Sequence, residues 1–172
     1  QLVAVEPDMN NSIIHADLWL NPRPGTDAAL ALAAAQVIIE EKLYNAAYVA
    51  EQTDLPLLVR TDTRRFLRES DLRRGGSDEA FYVWDAKQGK AVPAPGSGGS
   101  KTLDVGTLEV ALNFSGTATA GEKSVPVRTV FSMLREHLDK GCRPERAAEV
   151  TGVGANTIRQ FARGFAKAAY KL

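Results

Sequence analysis

A tight corner followed by a long apolar stripe constrains this chain most. Arg23-Pro24-Gly25-Thr26-Asp27-Ala28-Ala29-Leu30 lies between a short apolar run, Leu18-Trp19-Leu20, and a segment in which Leu30, Ala33, Ala34, Val37, Ile38 and Glu41 recur at helical spacing. A strand must end, the backbone must turn and a helix must begin within that stretch. Pro24 fixes φ, and Gly25 allows a backbone conformation or a close approach that a Cβ would forbid. Thr26 or Asp27 is placed to cap the first helical N–H groups. The donors left over, with the positive end of the helix dipole, suit either an ordinary helix start or a holder of a polar or anionic group.

Taken in order, residues 2–5 read as a buried strand that Pro7 ends, with Glu6 and Asp8 in the loop at its carboxyl end. In open α/β sheets that edge is where ligands bind. A helical turn within 9–15, a strand at 18–20 and a helix over 26–42 follow, which is the start of an α/β layer. A shorter helix is expected over 45–51, a strand at 57–59 and a polar turn or helix over 64–72. From Gly75 to Gly121 the character changes. Phe81-Tyr82-Val83-Trp84 is a β-type run, Pro93-Ala94-Pro95-Gly96-Ser97-Gly98-Gly99-Ser100 reads as a flexible loop, and 108–114 is expected to pair with 123–128 around a turn at 116–121. Helical spacing returns over 130–140, 143–150 and 156–170. Ile158, Phe161, Ala162, Phe165 and Ala169 form the apolar stripe of the last helix, and Arg159, Arg163 and Lys167 a basic ridge beside it.

Composition excludes several classes of function. Apolar residues make up 44% of 172, enough for a sizeable core, and 21 basic residues balance 21 acidic ones. That balance gives no general electrostatic reason to expect nucleic acid or a membrane surface as partner. No apolar run approaches the roughly 20 residues needed to cross a bilayer, so no membrane insertion is expected. Cys142 is the only cysteine, so no internal disulfide or thiolate cluster can form, and His15 and His137 fall in no ligand-spaced motif. No metal site made by this chain is expected. Residues 143–167 permit two readings. As a DNA-binding helix-turn-helix, Asn156, Thr157, Arg159 and Gln160 would face base edges while Arg163 and Lys167 reach phosphates. As plain structure, the segment is two packed helices joined by a tight turn at Gly152 and Gly154.

Several stretches together resemble one family, the molybdopterin oxidoreductases of the dimethyl-sulfoxide-reductase type. Leu2-Val3-Ala4-Val5-Glu6-Pro7-Asp8 is similar to the family's strand ending in an acidic-Pro-Arg turn. Ala16-Asp17-Leu18-Trp19-Leu20, with Arg23-Pro24-Gly25-Thr26-Asp27-Ala28-Ala29-Leu30, resembles its "AD-x-W-L … PGTDAAL" signature. Arg143-Pro144-Glu145, Ala148-Glu149-Val150-Thr151-Gly152-Val153 and Ile158-Arg159-Gln160-Phe161-Ala162-Arg163 match a later block in the same order. The middle of the chain looks more like the respiratory branch that includes nitrate, selenate and chlorate reductases.

The resemblance implies a fragment of a dinucleotide-binding-like α/β domain, interior to a bacterial catalytic subunit, with a β/loop insertion. Its parts would be 1–74 (α/β, cofactor-binding), 75–128 (β/loop) and 129–172 (helical). It implies molybdopterin guanine dinucleotide as cofactor, with Glu6, Pro7, Asp8 and Asn10 bordering the nucleotide. Gly25 and Thr26 would present backbone and hydroxyl groups, and Asp27 would accept from guanine N–H groups. The family's usual Asp is Glu6 here and its usual Arg is Asp8. Molybdenum would be bound by other parts of the parent chain, so this chain alone is expected to be inactive. Implied partners are the remainder of the catalytic subunit and an iron–sulfur electron-transfer subunit; bacterial cytoplasm and periplasm both remain open as compartments.

Overall fold

A computed structural model describes residues 2–98, 104–120 and 123–169. In chain order its elements are β1 (Val3–Val5), β2 (Leu18–Leu20), α1 (Asp27–Glu40), α2 (Ala46–Gln52), β3 (Leu58–Arg60), α3 (Glu69–Leu72), β4 (Tyr82–Asp85), β5 (Lys90–Pro93), β6 (Ser115–Ala120), β7 (Lys123–Thr129), α4 (Val130–Gly141), α5 (Pro144–Thr151) and α6 (Ala155–Ala169). The fold class is α/β, as expected. Two compact units divide the chain: Gln1–Tyr44 with Arg135–Leu172, and Asn45–Leu134.

In the first unit β1 and β2 pair in parallel, Val3 opposite Leu18 and Val5 opposite Leu20. Parallel strands need a connection of about a dozen residues or more. Segment 6–17 supplies it, tightened by a turn in which Ile13 N donates to Asn10 O at 3.1 Å and Ile13 is buried. The stripe read from the sequence is the buried face of α1: Leu30, Ala33, Ala34 and Val37 are all buried. Leu20, Leu30, Ala33, Ala147, Val153 and Ile158 make one core cluster, and Ala34, Val37 and Ala162 a second. Alanines at these contacts let the three helices α1, α5 and α6 approach closely. On α6 the buried line is Ile158, Ala162 and Ala166. Phe161 is only partly buried and Phe165 is 63% exposed, so the expected stripe is correct for Ile158 and Ala162 and wrong for Phe165, while the Ala169 side chain lies outside the described residues.

The second unit is organised by a three-stranded antiparallel sheet in the order β3-β7-β6, with β4 and β5 forming a separate hairpin. Its core holds Leu58, Leu67, Leu72, Tyr82, Ala118, Val125 and Val127. Asn45 caps α2 by accepting from Tyr48 N at 3.1 Å, and Thr129 caps α4 by accepting from Ser132 N at 3.2 Å. Two expectations fail here. The partner of β7 is Ser115–Ala120 rather than 108–114: Thr117 and Thr119 alternate with the buried Ala118, and that small-residue period outweighs the turn signal of Gly116. Segment 108–114 instead runs beside β4, with Ala111 N donating to Trp84 O at 2.9 Å and the Phe114 ring stacked on Trp84 at 3.8 Å. The supposed loop begins inside β5, whose Pro93 lies opposite Tyr82. Its last residues, Gly99 and Ser100, and the turn residues Gly121 and Glu122 lie outside the described residues.

Candidate functional site

Because β1 and β2 are parallel, the loops leaving Val5 and Leu20 emerge at the same sheet edge. Two hydrogen bonds fix the first of them: Glu6 N donates to Leu20 O at 3.0 Å, and the Trp19 indole Nε1 donates to Glu6 O at 2.9 Å. Glu6 is half-buried, Pro7 and Asp8 are exposed, and neither the Glu6 nor the Asp8 carboxylate has a partner among the described residues. Asn10 is also exposed; its Oδ1 accepts from Ser12 N at 2.8 Å, so the side-chain carbonyl is engaged locally and the amide N–H groups remain.

The second loop is a type II turn over 23–26. Pro24 occupies the position that its ring favours, Gly25 takes φ +80°, and Thr26 N closes the turn on Arg23 O at 3.1 Å. Nothing lies within 4 Å of where a Gly25 Cβ would be. Conformation rather than crowding is therefore what demands glycine there. The expected side-chain cap of α1 is not made: Thr26 is the N-cap, yet its hydroxyl donates to Arg23 O at 2.6 Å, inside the turn. Ala29 N and Leu30 N bond Thr26 O. The N–H groups of Asp27 and Ala28 are left over in the first turn. Asp27 is exposed, and its carboxylate has no partner among the described residues. No hydrogen bond or ion pair among the described residues joins Glu6, Asp8 or Asn10 to Gly25, Thr26 or Asp27.

Chemically the corner is rich in acceptors and poor in cations. Glu6, Asp8 and Asp27 offer free carboxylate oxygens, and the nearest arginine in sequence is already engaged. Arg23 Nη1 donates to Glu149 O at 2.7 Å and to Val150 O at 3.1 Å, and Arg23 N donates to Thr151 O at 2.8 Å. Such a set suits a ligand edge carrying adjacent N–H donors and repels a polyphosphate. A purine with neighbouring ring and amino N–H groups, such as guanine, fits it. The role of Arg23 escaped the sequence reading because its acceptors lie 126 and 127 residues away; the only local signal was a cation directly before a Pro-Gly turn.

The basic ridge of α6 is largely neutralised. Arg163 makes a two-pronged pair with Glu41, Nε to Oε2 at 2.8 Å and Nη2 to Oε1 at 2.7 Å, while Arg159 Nη2 meets Glu145 Oε1 at 2.5 Å. The hydrogen bond from Arg163 holds the Glu41 carboxyl below its ordinary range, and that from Arg159 does the same for Glu145. Arg159, assigned to base edges in a DNA reading, and Arg163, one of its two phosphate cations, both already face carboxylates, which weakens the phosphate term of such binding.

The chain matches no family model. It is similar to the dimethylsulfide dehydrogenase subunit alpha of Rhodovulum sulfidophilum, 47% identical over 170 residues that cover 98% of this chain and 18% of that protein. The perchlorate reductase subunit alpha of Dechloromonas aromatica (strain RCB) is 42% identical over 191 residues, covering 98% of this chain and 20% of its own length. The chlorate reductase subunit alpha of Ideonella dechloratans is 48% identical over 166 residues, 94% of this chain and 17% of that one. The chain thus spans about one fifth of the length of these relatives. With such identity along nearly its whole length, and with catalytic alpha subunits as its relatives, the chain belongs to the dimethyl-sulfoxide-reductase family of molybdenum oxidoreductases.

Proposed function

We propose that this chain is the part of a molybdenum oxidoreductase catalytic subunit that holds the guanosine end of one molybdopterin guanine dinucleotide. The observation that carries the reading is the unpartnered, exposed carboxylate of Asp27 at the start of α1, just beyond the carboxyl edge of the β1–β2 pair. A carboxylate there accepts two parallel hydrogen bonds from the guanine N–H edge. Gly25 and Thr26 shape the turn beside it, and the Asp27 and Ala28 N–H groups face the same ligand. Glu6, Pro7, Asp8 and the amide of Asn10 border the nucleotide from the first loop. Arginine is absent at position 8 and Arg23 is engaged elsewhere, so this chain contacts the base and its sugar and leaves the pyrophosphate to other parts of the subunit.

When bound, the cofactor supplies two-electron redox chemistry at molybdenum, with oxygen-atom transfer as the reaction class. The relatives' names, a dehydrogenase and two reductases, support a redox role for the parent. Their designation as alpha subunits supports assembly with further subunits; the family resemblance implies an iron–sulfur electron-transfer subunit among them.

Asp27→Ala in the full-length protein tests the reading. Losing two charge-assisted hydrogen bonds should lower retained guanine nucleotide and molybdenum by about tenfold or more. Asp27→Asn, which turns one acceptor into a donor, should fall close to it. Cofactor content equal to the parent's in both variants would sink the assignment.

A further inference from the structure

The helix pair α5–α6 has no place in the function above, yet the turn between its helices is bonded to the corner. Arg23 reaches three consecutive carbonyls in the last turn of α5: its Nη1 donates to Glu149 O and Val150 O, and its backbone N donates to Thr151 O. Those are carbonyls that a helix leaves without partners of its own, at the negative end of its dipole. The receiving turn is itself held firmly. Thr151 is fully buried, with Oγ1 donating to Ala147 O at 2.7 Å and accepting from Val153 N at 3.1 Å. Gly152 stops α5 in the left-handed region at φ +79°, and a Cβ there would lie 3.7 Å from Arg23 Nε. On its other side Arg23 O takes both the N–H and the hydroxyl of Thr26, which sets the residue before Asp27.

We infer that Arg23 is a positioning residue for the nucleotide corner. It ties the type II turn that presents Asp27 to the last turn of α5. Holding that corner, rather than reading nucleic acid, is then what the segment 143–167 contributes. The inference rests on the guanosine-binding reading given above. It makes the Asp27 carboxylate depend on a contact more than a hundred residues away in sequence, through a side chain that does not itself touch the base.

The test is titration of the cofactor-free full-length protein with guanosine and with GDP, followed by calorimetry. Arg23→Ala should weaken both by about tenfold, the equivalent of one good hydrogen bond. Arg23→Lys should recover part of the loss, since an ammonium reaches one carbonyl but not two. Millimolar guanidinium ion should restore binding to Arg23→Ala. Gly152→Ala, strained at positive φ, should shift binding in the same direction by moving the carbonyls away. Unchanged binding by Arg23→Ala would overturn the inference, as would a loss confined to GDP, which would make Arg23 a direct phosphate contact. A loss that neither lysine nor guanidinium relieves, accompanied by lost helical circular dichroism, would make Arg23 merely structural. Asp27→Ala separates the two claims. If it binds guanosine as well as the parent does, the corner reading itself fails. If it does not while Arg23→Ala binds normally, only the positioning role fails.

Discussion

Asp85 is 1% exposed, yet its hydrogen bonds favour the charged carboxylate. Burial pushes its carboxyl upward, but the Gln88 side chain at 2.5 Å and the Lys87 and Gln88 backbone N–H groups outweigh that and hold it below its ordinary value of 3.8. These bonds close the turn between β4 and β5. A carboxylate depressed in the folded state stabilises above its ordinary value, and the stabilisation is lost as pH falls through the lower folded value. Protection of the Lys87 and Gln88 amides, measured against their intrinsic exchange rate at each pH, should therefore be high near neutrality and fall in acid below 3.8. Asp85→Asn should exchange quickly at both, with little pH dependence of its own beyond the intrinsic chemistry. At this same scale the sequence was legible where the constraint is local. Pro24-Gly25 announced a turn, and Gly25 does sit at positive φ. Thr26 was misread because a threonine hydroxyl has two acceptors within reach of a turn, and only the folded geometry selects Arg23 O over a capping role.

Helices and strands were legible in proportion to the strength of their periodicity. α1, α5 and α6 start and stop within a residue or two of expectation, since Gly152 and the proline at the start of α5 mark real boundaries. β6 was missed because its alternation is written in Ser, Gly, Thr and Ala, residues that also make turns. The basic ridge was visible, but its carboxylate partners, Glu41 on one side and Glu145 on the other, were not, because ion pairs between helices leave no mark in either helix alone. Packing within α6 gives a sharp contrast. Ile158 is fully buried, so Ile158→Ala should lower stability by about 2–5 kcal/mol through lost burial and a cavity. Phe165→Ala, at a position largely in solvent, should change the unfolding free energy measured by urea titration by about 0.5 kcal/mol or less. Comparable losses at both would mean that α6 is rotated from the orientation described.

For the molecule as a whole, the class α/β followed from the order strand, strand, helix near the start and helices at the end. The division into units is harder to read, because residues 135 onward join residues before 45 and only contacts far apart in sequence reveal it. Among the described residues of the first unit, Leu2, Met9, Ile14 and Phe165 are large apolar side chains more than half exposed. Exposed apolar side chains of that size favour association where they lie together in one patch. Produced by itself, the chain should bind a hydrophobic dye and self-associate with rising concentration, as sedimentation would read; a dye-silent monomer would count against that account.

The bond from the Trp19 indole to the Glu6 carbonyl has an optical consequence. The chain holds two tryptophans, one in each unit, and they occupy opposite surroundings. Trp19 is 38% exposed and hydrogen-bonded to Glu6 at the carboxyl edge of the β1–β2 pair, whereas Trp84 is stacked on Phe114. Emission from Trp19 should accordingly lie to the red of emission from Trp84. On the guanosine-binding reading a purine seated beside Trp19 changes that indole's surroundings, so guanosine should alter the fluorescence of Trp84→Phe and leave that of Trp19→Phe unchanged. The corner thus carries its own lamp.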